Sequence, residues 1–301
     1  MGSAAAAVIV GVVRVQHVRS WDCTIDAEEQ GELLRRLEEG QVLLFEHLEF
    51  PLARAEERLL APEVSNGRSK NIAVDPATGR VAGTDLEGPQ LETLSRMVMR
   101  FSKQVHDLLE RLLPHYAGHL ETRLASYRPV DIESRTTSSR KDDTRLHVDA
   151  FASRPSQGRR ILRVFCNVNP QNKPRTWLLG EAFEPYARRF APSVRAQLPL
   201  EAVALKALGI TKSQRTRYDH LMLGMHDHGK LDEAYQRDAS RERFDFPAGS
   251  TWVCFTDQVL HAATGGQYLL EQTFFLPVSA MLHPERSPLL TLERMTGRQL
   301  V

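Results

Sequence analysis

Apolar residues recur at helical spacing after Gly88-Pro89: Leu91, Leu94, Met97, Val98, Phe101, Val105, Leu108, Leu109 and Leu112 share one face. The spacing predicts a long amphipathic helix running to about His119. A second, more charged helix is expected over Ala27 to Glu39, closed by Gly40. Ala7 to Val15 and Gln41 to Phe50 read as strands. From Leu124 to Asn169 the pattern turns extended. It is clearest in Ile161 to Asn169, where Leu162, Val164, Cys166 and Val168 alternate with Ile161, Arg163, Phe165, Asn167 and Asn169. Glu181 to Gln197 and Thr211 to Asp238 read as mainly helical. Phe244 to Pro277 returns to strands, with Pro247 and Gly249 as turn formers before Ser250 to Phe255 and a further strand over Gln267 to Pro277. A short helix is expected in Pro288 to Val301.

Strand blocks on either side of a helical insert predict an α+β fold: a double-stranded β-helix (jelly-roll, cupin-like) core with helices packed outside. We expect a single domain over residues 1–301. An N-terminal α/β elaboration covers about 1–123, the β-helix core about 124–277 with its helical insert at about 180–240, and a tail 278–301.

Composition narrows the class. With 42% hydrophobic residues the 301-residue chain can bury a full core. Lys+Arg 39 against Asp+Glu 38 leaves a net charge of +1, which supplies no bulk field for nucleic acid. Three scattered cysteines, Cys23, Cys166 and Cys254, argue against a disulfide framework and for a reducing, cytoplasmic setting. Arg outnumbers Lys 32 to 7, which is either a compositional bias or a means of recognising carboxylate and phosphate. Ala4 to Val13 is uncharged but too short to span a bilayer and lacks a basic leader, so neither a signal peptide nor a spanning helix is expected.

The chemistry concentrates in His147-Val148-Asp149 and in His261, 112 residues beyond Asp149. Two His and one carboxylate occupy one face of an iron(II) ion and leave the other open for a co-substrate and O₂. If Thr144 to Phe151 is extended, residues i and i+2 point the same way, so His147 and Asp149 converge. HxD alone is weak evidence. His261 between two late strands, behind a Pro/Gly turn, gives it the layout of a double-stranded β-helix oxygenase. The competing reading is a buried, hydrogen-bonded His147 with an unrelated His261.

Such an oxygenase that uses 2-oxoglutarate needs a fixed cation for the far carboxylate. Many enzymes of this kind carry an Arg about ten residues after the last His. Here Gln267 to Phe275 holds neither Arg nor Lys, and Gln272 stands near that place. Arg163, on the half-polar face of its strand, is the favoured clamp, and Arg145 is the rival. His220, His226 and His228 lie in a segment broken by Gly224 and Gly229, where a helix end or substrate-facing loop is a better reading than a metal pair. Nucleophile elbows and phosphate loops are absent from the sequence.

Arg140 to Pro155, Gly158 to Pro170, Asp245-Phe-Pro-Ala-Gly-Ser-Thr-Trp252, His261-Ala-Ala and the ending Leu292 to Val301 together resemble the Kdo hydroxylases of Gram-negative bacteria. The resemblance implies a dioxygenase dependent on iron(II) and 2-oxoglutarate and assisted by ascorbate. Its substrate would be Kdo-lipid A of lipopolysaccharide, with carbon 3 of 3-deoxy-D-manno-oct-2-ulosonic acid (Kdo) hydroxylated to give Ko. The matching ligands are His147, Asp149 and His261. Action at the cytoplasmic face of the inner membrane, through peripheral contact, is implied as well. Arg135, Arg140 and Lys141 are then candidate substrate contacts. The competing expectations are the same chemistry on another sugar, lipid or protein acceptor, and a non-catalytic sugar-binding cupin that keeps a metal.

Overall fold

The computed structural model describes residues 12–134 and 138–301. β1 (Val13–Val15), α1 (Ala27–Glu38), β2 (Val42–Phe45), β3 (Ile72–Val74), β4 (Val81–Ala82) and α2 (Gly88–Leu112) come first. β5 (Glu121–Arg128), β6 (Arg160–Asn167) and β7 (Arg175–Leu179) lead into α3 (Phe183–Phe190), α4 (Glu201–Ala207), α5 (Arg217–Leu231) and α6 (Glu233–Asp238). β8 (Glu242–Phe246), β9 (Thr251–Phe255), β10 (His261–Gly265), β11 (Leu269–Leu276) and α7 (Pro288–Thr296) complete the chain.

Two sheets face each other. The larger has the order β1-β2-β9-β6-β11-β5-β3-β4, the smaller β10-β7-β8. β9, β6, β11 and β5 pair antiparallel throughout, although they are far apart in sequence. This is the double-stranded β-helix expected from the strand blocks. Phe165, Trp252 and Leu269 of the large sheet meet Trp177, Phe246 and Ala263 of the small one in a shared core. Phe246 stacks on Trp252 at 4.1 Å, and Trp252 on Phe165 at 5.4 Å. Each such pair contributes about 0.5–1.5 kcal/mol beyond the area it buries.

The outer face of the large sheet carries the alternate residues. Leu162, Val164 and Cys166 of β6 belong to the same buried cluster as Leu94, Val98, Phe101 and Val105 of α2. The alternation in Ile161 to Asn169 therefore separates an outer apolar face from an inner, half-polar one, as the pattern required. Against the small sheet lie α3, α5 and α7, whose Tyr186, Met222 and Leu292 cover Leu146, Val148, Leu260 and Ala262.

Several boundaries differ from expectation. Of the strand expected over Ala7 to Val15, residues 7–11 lie outside the described residues. The strand expected over Gln41 to Phe50 stops at Phe45, because the chain turns there (Leu48 N–H donates to the Phe45 carbonyl). The long helix ends at Leu112, since Pro114 has no N–H to continue it. The extended stretch from Leu124 to Asn169 is two strands separated by a long loop, and Thr144 to Phe151 falls in that loop rather than in a strand.

Candidate metal centre

The loop carrying the HxD motif lies along β10. His147 N–H donates to the His261 carbonyl at 3.0 Å, and His261 N–H returns the bond at 2.9 Å. Asp149 N–H donates to the Thr256 carbonyl at 2.8 Å. Those three bonds bring together residues that the sequence separates by more than a hundred positions. Apolar neighbours fix which way the chain faces. Leu146, Val148, Leu260 and Ala262 are buried under the helices, so the residues between them turn into the barrel.

One donor atom each from His147, Asp149 and His261 lies within 4.8 Å of the other two. No other such group of His, Cys, Asp or Glu occurs among the described residues. The Nδ1 of His147 sits 2.7 Å from the Arg145 carbonyl, and the Nδ1 of His261 2.8 Å from that of Val259. A carbonyl only accepts, so each Nδ1 carries the proton and each Nε2 offers a lone pair for a metal. Trp177 stacks on the His261 ring at 4.9 Å and holds its plane. Burial, and then the neighbouring His261, pulls His147 well below the ordinary histidine range; burial also lowers His261. Both rings are therefore neutral at physiological pH, as ligands must be.

Asp149 is ionised. Burial alone would raise it, but the Arg163 guanidinium at 3.1 Å holds it well below the usual carboxylate range. Arg163 also faces Glu271 at 3.4 Å. Glu271 pairs with Arg128, which lies 3.4 Å from Asp143, and Asp143 pairs with Lys70. Glu271 and Asp143 are likewise held below the ordinary range, their cationic neighbours outweighing burial.

These shifts give stability a definite pH dependence. The unfolded chain takes up protons on the two His below about pH 6.5 and on the three carboxylates below about pH 5, where the folded chain does not. Extra proton binding by the unfolded state lowers stability as pH falls, so both sets act in the same direction. The urea midpoint of metal-free protein is expected to decline steadily from pH 7 to pH 4. An unchanged midpoint would contradict this charge assignment.

The centre opens into a cavity of about 520 Å³. Of the clamp candidates, Arg163 lines it. Arg145 does not: its guanidinium donates to Glu233 at 2.7 Å and to the Lys230 carbonyl at 2.8 Å. Gln272 faces the opposite way, with its neighbours Leu270 and Phe274 in the outer core, and its amide donates to the Arg123 carbonyl at 3.0 Å. Arg175 was missed in the sequence because residues 170–180 show no readable period. It lines the cavity, 2% exposed, on the same face of β7 as Trp177, and donates to the Gly266 carbonyl at 2.9 Å. Gly266 is required there: its φ is +106°, and a Cβ would come within 2.8 Å of the Pro174 carbonyl oxygen. Arg140 lines the cavity rim in a 3-10 turn with Lys141, and Arg135 lies outside the described residues.

His226 also lines the cavity, its ring edge-on to His147 at 5.4 Å, whereas His220 is bonded to the Arg195 carbonyl at 2.9 Å. The helical insert thus places one of the three clustered His against the metal face, with its Nδ1 2.9 Å from Asp227. The donor set fits iron(II), since two neutral imidazoles and one carboxylate lie together beneath a polar cavity.

The family model for 3-deoxy-D-manno-oct-2-ulosonic acid (Kdo) hydroxylase matches residues 20–299. Solved structures of the Kdo hydroxylase KdoO, a non-heme Fe(II) α-ketoglutarate-dependent dioxygenase, are similar throughout. The apo form is 46% identical with a TM-score of 0.93, covering 96% of this chain and 97% of that one. The complex with α-ketoglutarate and Fe(III) is 45% identical at a TM-score of 0.93, with the same coverage. The cobalt(II) complex is 46% identical at 0.94, again over 96% and 97% of the two chains. No curated protein matches the sequence.

Proposed function

This chain belongs to the Kdo hydroxylase family, and from that premise we propose that it hydroxylates carbon 3 of Kdo in Kdo-lipid A, giving Ko, with iron(II) and 2-oxoglutarate. The observation that carries the reading is the convergence of His147, Asp149 and His261 beneath a cation-lined cavity. Iron and 2-oxoglutarate, held by these residues, would supply the activation of O₂, with succinate and CO₂ as co-products. Ascorbate belongs to the same reading, as the reductant that would keep the iron ferrous.

The chain's own residues bind, orient and exclude water. The two Nε2 atoms and the Asp149 carboxylate hold the metal. Arg163 keeps Asp149 charged and in place. Of the three residues the sequence offered for the far carboxylate of 2-oxoglutarate, Arg163 is the one on the cavity wall. Arg175, which lines the same cavity beside Trp177, is the second guanidinium we assign to that carboxylate. Phe165, Trp177 and Leu269 form the apolar side of the cavity and restrict water near the reacting carbon.

Among the described residues no helix is long and apolar enough to cross a membrane. The reading includes peripheral contact with the cytoplasmic face of the inner membrane, where a lipid-anchored acceptor is exposed. Mass spectrometry of Kdo₂-lipid A after incubation with protein, Fe(II), ascorbate and 2-oxoglutarate tests it. The expected result is a gain of one oxygen on a Kdo unit, dependent on 2-oxoglutarate. No gain with folded, iron-loaded protein would overturn the substrate assignment.

A further inference from the structure

One wall of the cavity carries none of the residues assigned above to the metal or the co-substrate. Along α5, His226 and Lys230 stand one turn apart and both line the cavity. The contact of His226 with His147 places this wall beside the metal-binding face. Lys230 is only 1% exposed. An ammonium has three N–H groups to donate, yet its nearest acceptors are the Arg140 carbonyl at 3.4 Å and the Asp143 carboxylate at 3.8 Å. Both are long for a charge-assisted hydrogen bond, which spans about 2.7–2.9 Å.

Asp143 is also shared. Lys70 binds it directly, and Arg128 lies 3.4 Å away. Three cations therefore meet one carboxylate, and Lys70 and Lys230 both reach the cavity that holds His147, Asp149 and His261. A buried ammonium is costly unless paired. A lysine kept for structure alone would close on Asp143; this one stands off it, on the cavity side.

We propose that Lys230, with Lys70 beside it, binds the carboxylate of the acceptor sugar and so determines which sugars are oxidised. The inference rests on the function proposed above and deepens it. In a 3-deoxy-2-ulosonic acid the carboxyl carbon is bonded to carbon 2, the neighbour of the carbon to be hydroxylated. An anchor on that carboxylate fixes carbon 3 within a narrow range over the metal face. Positioning of this kind governs rate as well as affinity. A carboxylate also occurs in 2-oxoglutarate, so the test must separate the two sources.

Lys230→Met and Lys70→Met are compared with the parent protein on Kdo-lipid A and on its carboxyl methyl ester, with 2-oxoglutarate affinity measured anaerobically on iron-loaded protein. For Lys230→Met, kcat/KM on the acid is expected to fall about 10- to 100-fold, the effect of losing a hydrogen bond to a charged group. The parent should lose a similar factor when given the ester, and the variant should scarcely distinguish acid from ester. Affinity for 2-oxoglutarate should be unchanged, and Lys230→Arg should restore part of the activity on the acid. The proposal is overturned if the variant keeps the parent's preference for the acid, or if 2-oxoglutarate affinity falls by the same factor. If Lys230→Met fails to fold, Lys70→Met carries the same comparison, and the same two outcomes decide it. Failure of the parent to oxidise Kdo-lipid A at all would instead remove the functional reading beneath the proposal.

Discussion

His261→Ala is expected to abolish turnover while leaving the barrel folded. The ring supplies one of three metal donors, and the two that remain define no face of an octahedron. Loss of an outer partner of a ligand costs roughly 10- to 100-fold in metal affinity or activity, so loss of the ligand itself should exceed that and leave product at background. The fold should survive because the bonds that seat this segment are made by the backbone: His261 N–H to the His147 carbonyl and the reverse. What the fold loses is the stack on Trp177 and the Nδ1 hydrogen bond to the Val259 carbonyl, each worth about 0.5–1.5 kcal/mol. His147→Ala should behave alike: the ring gives up its hydrogen bond to the Arg145 carbonyl and its contacts with His226 and His261, while the main chain keeps both bonds. Iron content, succinate formation and the urea midpoint check the two halves of the prediction separately. More than a tenth of parental turnover in either variant would dismiss the triad as the metal site.

The triad is legible in the sequence even though the strand expected to carry it does not form. Thr144 to Phe151 is a loop. Alternation of Leu146 and Val148 with His147 and Asp149 needs only an extended chain with one buried side, and the bridge to His261 provides that. The barrel itself is legible where strands are long and alternate, as in Ile161 to Asn169. It is not legible in β3, β4 and β7, whose short spans carry too few positions to show a period. That gap hides Arg175. Gln272 fails for a different reason: distance along the chain from His261 says nothing about face, and Gln272 has the parity of Leu270 and Phe274. Nor does the sequence show Lys230 as a cavity residue. The three His of this segment read as a helix end or substrate-facing loop broken at Gly224 and Gly229; α5 instead runs unbroken through both glycines, and its packing over the metal face turns His226 and Lys230 into the cavity.

Arg163→Met should destabilise the protein as well as inactivate it, and the two losses have one origin. The guanidinium stands between Asp149 at 3.1 Å and Glu271 at 3.4 Å, in a site where both carboxylates are largely buried. Removing it leaves two carboxylates facing each other in a low-dielectric interior, the situation in which breaking one partner of a buried pair costs about 3–5 kcal/mol. Glu271 retains Arg128, so the heavier loss falls on Asp149. Its carboxyl then rises toward neutrality, because burial is no longer opposed by the cation that outweighed it. A protonated Asp149 is no metal ligand, so the pH below which iron is released should move upward. Adding Glu271→Gln removes the like charge across the gap and should recover part of the stability, but not the activity, since Asp149 still lacks its cation. A double-mutant cycle in urea, read with iron content against pH, separates these effects. If Arg163→Met binds iron with the parental pH profile, Arg163 does not control the charge of Asp149, and its place in the cavity serves the co-substrate alone.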